Sequence, residues 1–225
     1  MKIRLLLLIA ALACHLGAAS KSVERCLKAA EALDEIMSIS DKSIPQDLLS
    51  KAHCVAIIPG LVKGGFIVGG KYGRGVLLCR GEEGKGWTAP TTVRIEGGSV
   101  GFQIGGTKTD VVLLVMNAKG KDKLLSSKFT VGADAAAAAG PVGRTAQAQT
   151  DAQMRAEILS YSRSRGVFAG VSLEGATLRP DEDEDTELYG KSVDRRAILD
   201  GKVAAPPEVQ PLLDTLNKYS SQEHR

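Results

Sequence analysis

The chain has 225 residues, with 29 Lys and Arg against 26 Asp and Glu, and so near-neutral a balance argues against a nucleic-acid binder, whose basic face normally shows in the totals. Aromatic residues make up 4% of the chain, which leaves few platforms for sugar rings. The length suits one domain with a substantial core rather than two.

Residues 1–19 read as a secretory signal: Lys2 and Arg4 form a basic start, and Ile3 with Leu5 to Ala13 forms an apolar run too short to span a bilayer. Two cleavage sites compete. Gly17-Ala18-Ala19 before Ser20 carries the small residues a general signal peptidase reads, and Ala11-Leu12-Ala13 before Cys14 is similar to a lipoprotein box. The expectation is cleavage after Ala19 and a secreted or periplasmic protein, with a lipid anchor on Cys14 as the alternative. Cys26, Cys54 and Cys79 then remain. They allow at most one intramolecular disulfide, and burial of all three as small apolar residues is the expectation.

Ser22 to Ser38 places Val23, Cys26, Leu27, Ala30, Leu33 and Met37 at helical spacing, which predicts an amphipathic helix. Its apolar face suits either a membrane surface or its own domain. Lys21, Arg25 and Lys28 precede Glu24, Glu31, Asp34 and Glu35, so only the first turns suit an anionic surface. Ile44-Pro45 opens a short helix to about Lys51. From Cys54, short β-rich runs parted by glycines (CVAIIPG, GGFIVGGKYG, RGVLLCR, WTAPTTVRI, GGSVGFQIGG, TDVVLLVMN) predict an antiparallel meander, barrel or sandwich.

Within GGFIVGGKYGRG, Gly65, Gly70 and Lys71 have the spacing of a phosphate loop, but Tyr72 stands where the magnesium-binding hydroxyl belongs and Phe66, Ile67 and Val68 fill the loop. KYGRG is read instead as a hairpin turn. Asn117 to Ser127 predicts a polar connector with a turn or two of helix. KFTVGADAAAAAGPVGR is read as a buried strand of small side chains passing under something bulky, and YSRSRGVFAGVSLEGATL as a hairpin. Asp181 to Asp185 is read as a solvated turn, followed by helices over Leu188–Leu199 and Pro207–Tyr219.

Catalytic groups are sparse. After the signal only His53 and His224 remain, no nucleophile elbow is present, and no CxxC or HxxxH spacing offers a zinc site. The acidic run lacks the glycine and alternating oxygens of a calcium loop. These readings point to no enzyme, no cofactor and no metal.

The order of features, with GPVGR at 140–144 and SRGVFAGVSLEG at 164–175, resembles the SYLF domain family over about residues 22–200. The resemblance spans most of the one domain over 20–225 that the residue pattern predicts, of α+β class: a glycine-rich, mainly antiparallel β-sheet or barrel-like core with an N-terminal amphipathic helix and C-terminal helices. It also implies a non-enzymatic lipid-binding module for anionic phospholipid or phosphoinositide headgroups, with membrane phospholipid as partner and actin an unlikely one for an exported chain. The alternative is an envelope structural or protein-interaction module using the same apolar surface. The family's N-terminal helix carries membrane binding onto Lys21 to Met37. The basic residues expected near exposed tips are Lys21, Arg25 and Lys28 on that helix, Lys71 and Arg74 at KYGRG, and Lys119, Lys121 and Lys123 on the connector. Arg144 and Arg165 fall in the family phrases, where a headgroup contact and a structural salt bridge read alike.

Overall fold

The computed structural model describes residues 19–39, 43–81, 84–101, 107–142, 155–164, 167–170, 173 and 175–220. Residues 1–18 of the expected signal, Cys14 among them, therefore lie outside the described residues, as do Arg144, Arg165 and His224.

Helix α1 (Lys21–Met37) starts where Ser20 caps it, the hydroxyl accepting from the Val23 amide at 3.3 Å. Val23, Cys26, Ala29, Ala30, Leu33, Ile36 and Met37 are buried, whereas Leu27 is 37% exposed and falls off the apolar stripe. Burying a side chain such as Leu33 or Ile36 contributes about 1.5–3 kcal/mol, so this face is committed to the protein's own core. Helix α2 (Gln46–Lys51) follows Pro45, close to expectation.

The core is an eight-stranded, curled half-barrel sheet: β1 (Cys54–Cys79), β2 (Thr91–Gly101), β3 (Thr107–Val115), β4 (Phe129–Thr130), β5 (Ala137–Ala139), β6 (Ile158–Ser164), β7 (Val167–Gly170) and β8 (Thr177–Pro180). The order is β4-β8-β2-β1-β3-β6-β5, with β7 also on β6. All pairs are antiparallel except β5 with β6, which lies outside the runs read as a meander. The fold class is thus α+β and mainly antiparallel, as the sequence pattern implied.

Strand β1 corrects the reading of KYGRG. A straight strand of its length would extend roughly 80 Å, yet Cys54 and Cys79 at its ends form a disulfide, and the Arg80 amide donates to the His53 carbonyl at 2.8 Å. The strand therefore folds back on itself, and a Cβ on Gly75 would lie 2.8 Å from the Ile58 Cα. Lys71 to Gly75 are not the turn: they pair with Gly97 to Val93 of β2. The glycines at 73 and 75 admit the opposing half of β1, whose Leu61 and Ile57 backbones leave no room for a side chain. All three expected cysteines are buried, but two are paired, and Cys26 is the free one.

The two sheet faces bury separate cores. The convex face packs Val55, Ile57, Val76, Leu78, Val112 and Tyr161 under α1, α2 and the C-terminal helix. The concave face gathers Ile58, Leu61, Leu77, Val93, Ile95 and Val111. The run read as one buried strand of small side chains is instead two short strands, β4 and β5, with β5 half-buried, though its small residues do admit something bulky: a Cβ on Gly140 would sit 2.1 Å from Tyr161 Cζ.

The acidic run is the second correction. Helix α4 (Glu182–Tyr189) begins inside it, and Asp181, Glu184 and Asp185 are buried. Gly190, at φ 67°, ends the helix in the left-handed conformation, which splits the expected 188–199 helix. Helix α5 covers Arg195–Leu199, and α6 covers Gln210–Ser220 after a 3-10 turn at Pro207–Val209. The polar connector forms α3 (Ala118–Leu124), capped by the Asn117 side chain.

Candidate functional site

Most of the basic residues proposed for an external ligand are engaged internally. Arg25 of α1 grips Glu184 of α4 with two bonds, Nε to Oε2 at 2.7 Å and Nη2 to Oε1 at 2.8 Å. Arg74, on the convex side of β1, donates from Nη1 to the same Glu184 at 2.7 Å and from Nε to the Tyr72 hydroxyl at 2.8 Å. Its Nε also lies 3.2 Å from Asp181 Oδ2. Helix, strand and acidic run are thereby joined at one carboxylate.

Burial pushes the Glu184 carboxyl up, but the two guanidiniums outweigh it and hold the group below its ordinary value. The neighbouring Asp185 goes the other way. Burial raises it despite hydrogen bonds from the Thr91 hydroxyl and from the Thr92 amide and hydroxyl. Two adjacent carboxylates are thus shifted in opposite directions by their surroundings.

The remaining candidates are dispersed. The Lys21 amide donates to Glu187, and Lys28 pairs with Glu24 on the exposed side of α1. Lys119 and Lys123 both approach Glu157, at 3.7 and 2.9 Å, and Lys121 lies 3.5 Å from Asp200. Further ties close α1 on its domain: Arg163 bridges Glu35 and Asp110, while Lys218 and Tyr219 of α6 both bond Asp34, at 3.0 and 2.6 Å. His53 is exposed, with its amide and carbonyl bridging β3 and the end of β1.

Lys71 stands apart. It projects from the concave side of β1, is half-buried, and has a second lysine, Lys63, nearby. Lys63 was missing from the expected set, because its proximity follows from β1 folding back rather than from spacing. Elsewhere, a cavity of about 500 Å³ opens between the turn after α3 and the α4–α5 link, lined by Ser126, Ser127, Glu182, Asp185, Ser192 and Arg195 among others. None of the expected basic residues reaches it.

A curled half-barrel held to its first helix by arginines on a buried carboxylate, Glu184, defines an α+β domain whose N-terminal helix is part of the core. The profile of the family described as "Ysc84: Las17-binding protein actin regulator" matches residues 96–219, and the chain belongs to this family, the SYLF domain family. It is similar to "LAS seventeen-binding protein 3" of Saccharomyces cerevisiae, 35% identical over 181 residues, which are 79% of this chain and 39% of that protein. It is also similar to "SH3 domain-containing YSC84-like protein 1" of Rattus norvegicus, 33% identical over 205 residues, 86% of this chain and 58% of that protein. The protein of the same name from Xenopus laevis is 34% identical over 207 residues, 86% of this chain and 59% of its own length. The chain spans between 39% and 59% of these relatives.

These names correct the expected partners. The relatives are named for Las17 and for SH3 domains, and the family for actin regulation; those names speak of protein partners and not of membrane phospholipid, which overturns phospholipid as the expected partner. The physical reason lies in α1. Its apolar face is inside the core and Arg25 is bound to Glu184, so the helix lacks the free apolar face of a membrane-surface helix, and one of its three basic residues is held within the domain.

Proposed function

We propose that this chain is a non-enzymatic protein-interaction module whose surface recognises an actin regulator of the Las17 kind. The observation that carries the reading is that the profile of a family described as Las17-binding matches residues 96–219, from the middle of β2 through β8 to the C-terminal helices, and that a relative named for binding Las17 is similar over 79% of this chain. The apolar face of α1 is closed, so the contact surface is another one. Among the described residues, the exposed large apolar side chains outside α1 are Val62, Tyr72 and Val167.

Purified Las17 is the probe that tests this. The chain from Ser20 onward, and the matching segment of the yeast relative, should each retain Las17 on a column. Retention by the whole yeast relative but by neither segment would place binding in the remainder of that protein and overturn the reading.

For location, we propose export with cleavage after Ala19. An intact mass beginning at Ser20 supports it, a diacylated Cys14 supports the anchored alternative, and a retained Met1 overturns both. For an exported chain the natural partner is the local counterpart of Las17, and Las17 itself serves to read the surface.

A further inference from the structure

The concave side of β1 carries alternate residues: Cys54, Ala56 and Ile58, then Leu61 after a register shift, and on the returning half Cys79 and Leu77. Continuing that alternation, Lys63 and Lys71 occupy the next inward positions beyond Leu61 and beyond the glycines at 73 and 75. Lys63 is paired with Thr107 of β3, and Lys71 with Gly97 of β2. The two lysines thus stand at the mouth of the half-barrel, where its apolar interior ends. The Lys71 stem runs over Gly97: a Cβ there would come 2.9 Å from Lys71 Cε and 3.2 Å from the Ala176 Cα. The missing side chain makes the slot in which the lysine lies.

Burial, and after it the charge of Lys63, holds the Lys71 ammonium below the ordinary lysine value. Among the described residues, no carboxylate forms an ion pair with either lysine. Two like charges held together in a half-buried place, without a counter-charge, are an arrangement that an incoming anion relieves.

We propose that Lys63 and Lys71 form an anion site at the mouth of the half-barrel that takes the carboxylates of an acidic segment in the protein partner. This rests on the protein-interaction reading above and names the chemistry of the segment recognised. Charge complementarity selects the acidic side chains: two ammonium groups on one face of the strand, with no carboxylate paired to either among the described residues, match a segment that carries several carboxylates.

The test uses the chain from Ser20 with a fluorescent oligoglutamate peptide, an oligoglutamine control, inorganic phosphate and phosphatidylserine vesicles. Oligoglutamate should bind in a salt-sensitive manner, oligoglutamine should not, and Lys63→Gln with Lys71→Gln should weaken binding roughly tenfold or more without lowering the melting temperature. Lys28→Gln, on the far exposed side of α1, should leave binding unchanged. Absent binding by the unmodified chain, equal binding by the double variant, or lysine-dependent binding of phosphate or vesicles without preference for the peptide would overturn the site as proposed. Retention of Las17 by the double variant at full strength removes this inference while leaving the proposed function standing.

Discussion

Lys71 and Arg74 stand on the same strand and face opposite sides of it, and their surroundings could hardly differ more. Arg74 on the convex side shares Glu184 with Arg25 and lies beside Asp181; Lys71 on the concave side has another lysine for company. A matched charge is part of how the domain is built, since Arg25, Arg74 and Glu184 fasten α1 and α4 to β1. An unmatched one has no structural task, and its cost in the free protein is what a partner can offset. The eight basic residues therefore separate by what is opposite them, a property of the fold and not of the residue.

That contrast depends on β1 folding back on itself, and the largest effect should come from blocking it. Gly75→Ala would place a methyl 2.1 Å from the Ile57 carbonyl oxygen. Backbone cannot yield as a side-chain tip can, so a loss of about 3 kcal/mol in urea unfolding is expected. A change below about 0.5 kcal/mol, the usual range of a surface substitution, would show that the two halves are not in close contact.

The convex network comes next. Glu184→Ala leaves two guanidiniums facing an empty site. Removing one partner of a fully buried pair costs about 3–5 kcal/mol, but the Arg74 side chain is 37% exposed and water will compensate part, so about 2 kcal/mol is expected. The same variant should loosen α1, seen as faster amide exchange along Val23 to Leu33.

Acid separates the two adjacent carboxylates. Glu184 has a lowered folded value, so its contribution is present above its unfolded value near 4.5 and is lost as pH falls through the folded value. Asp185 has a raised folded value, so its contribution is present below 3.8 and lost as pH rises through the folded value. At pH 7 Glu184→Gln should therefore destabilise, with the cost shrinking in acid. Asp185→Asn, which keeps an acceptor for Thr92, should be neutral or stabilising by about 1 kcal/mol. Urea curves of both variants at neutral and acid pH check the signs, and equal costs at both values would refute the assignment.

How much of this could be read beforehand follows from how local each cause is. Helix α1 was legible because its spacing lies within 17 consecutive residues, and α3 because Asn117 and the lysines announce it. The helix start inside Asp181–Asp185 was hidden. Five acidic residues in a row look solvated, and the arginines that neutralise the run, Arg25 and Arg74, stand more than 100 residues away. KYGRG misled for a related reason: glycines mark turns locally, but Gly73 and Gly75 serve a close approach that only the pairing of β1 reveals. The same pairing sets the Cys54–Cys79 bond and brings Lys63 to Lys71, which explains why the disulfide and half of the proposed anion site were both missed. Local residue patterns conveyed the architecture; the state of each charge came from long-range contacts.

The smallest effect tests the unmatched side directly. Lys71→Met keeps the stem over Gly97 and removes the ammonium, so the variant should gain stability rather than lose it, by about 0.5 kcal/mol at neutral pH and low salt. The sign follows from the lowered folded value of Lys71: the folded state holds its proton less tightly than the unfolded chain, so in the unmodified protein this group becomes less unfavourable as pH rises through that folded value toward 10.5. The advantage of the variant should accordingly fade in alkali, and it should fade in high salt, where the repulsion from Lys63 is screened. Arg74→Met, three positions along the same strand, should do the reverse and destabilise at every salt concentration, because it strips Glu184 of one of its two cations. If both variants moved stability in the same direction, the two faces of β1 would not differ in the way their charges are matched, and the mouth of the half-barrel would lose its claim to be a site.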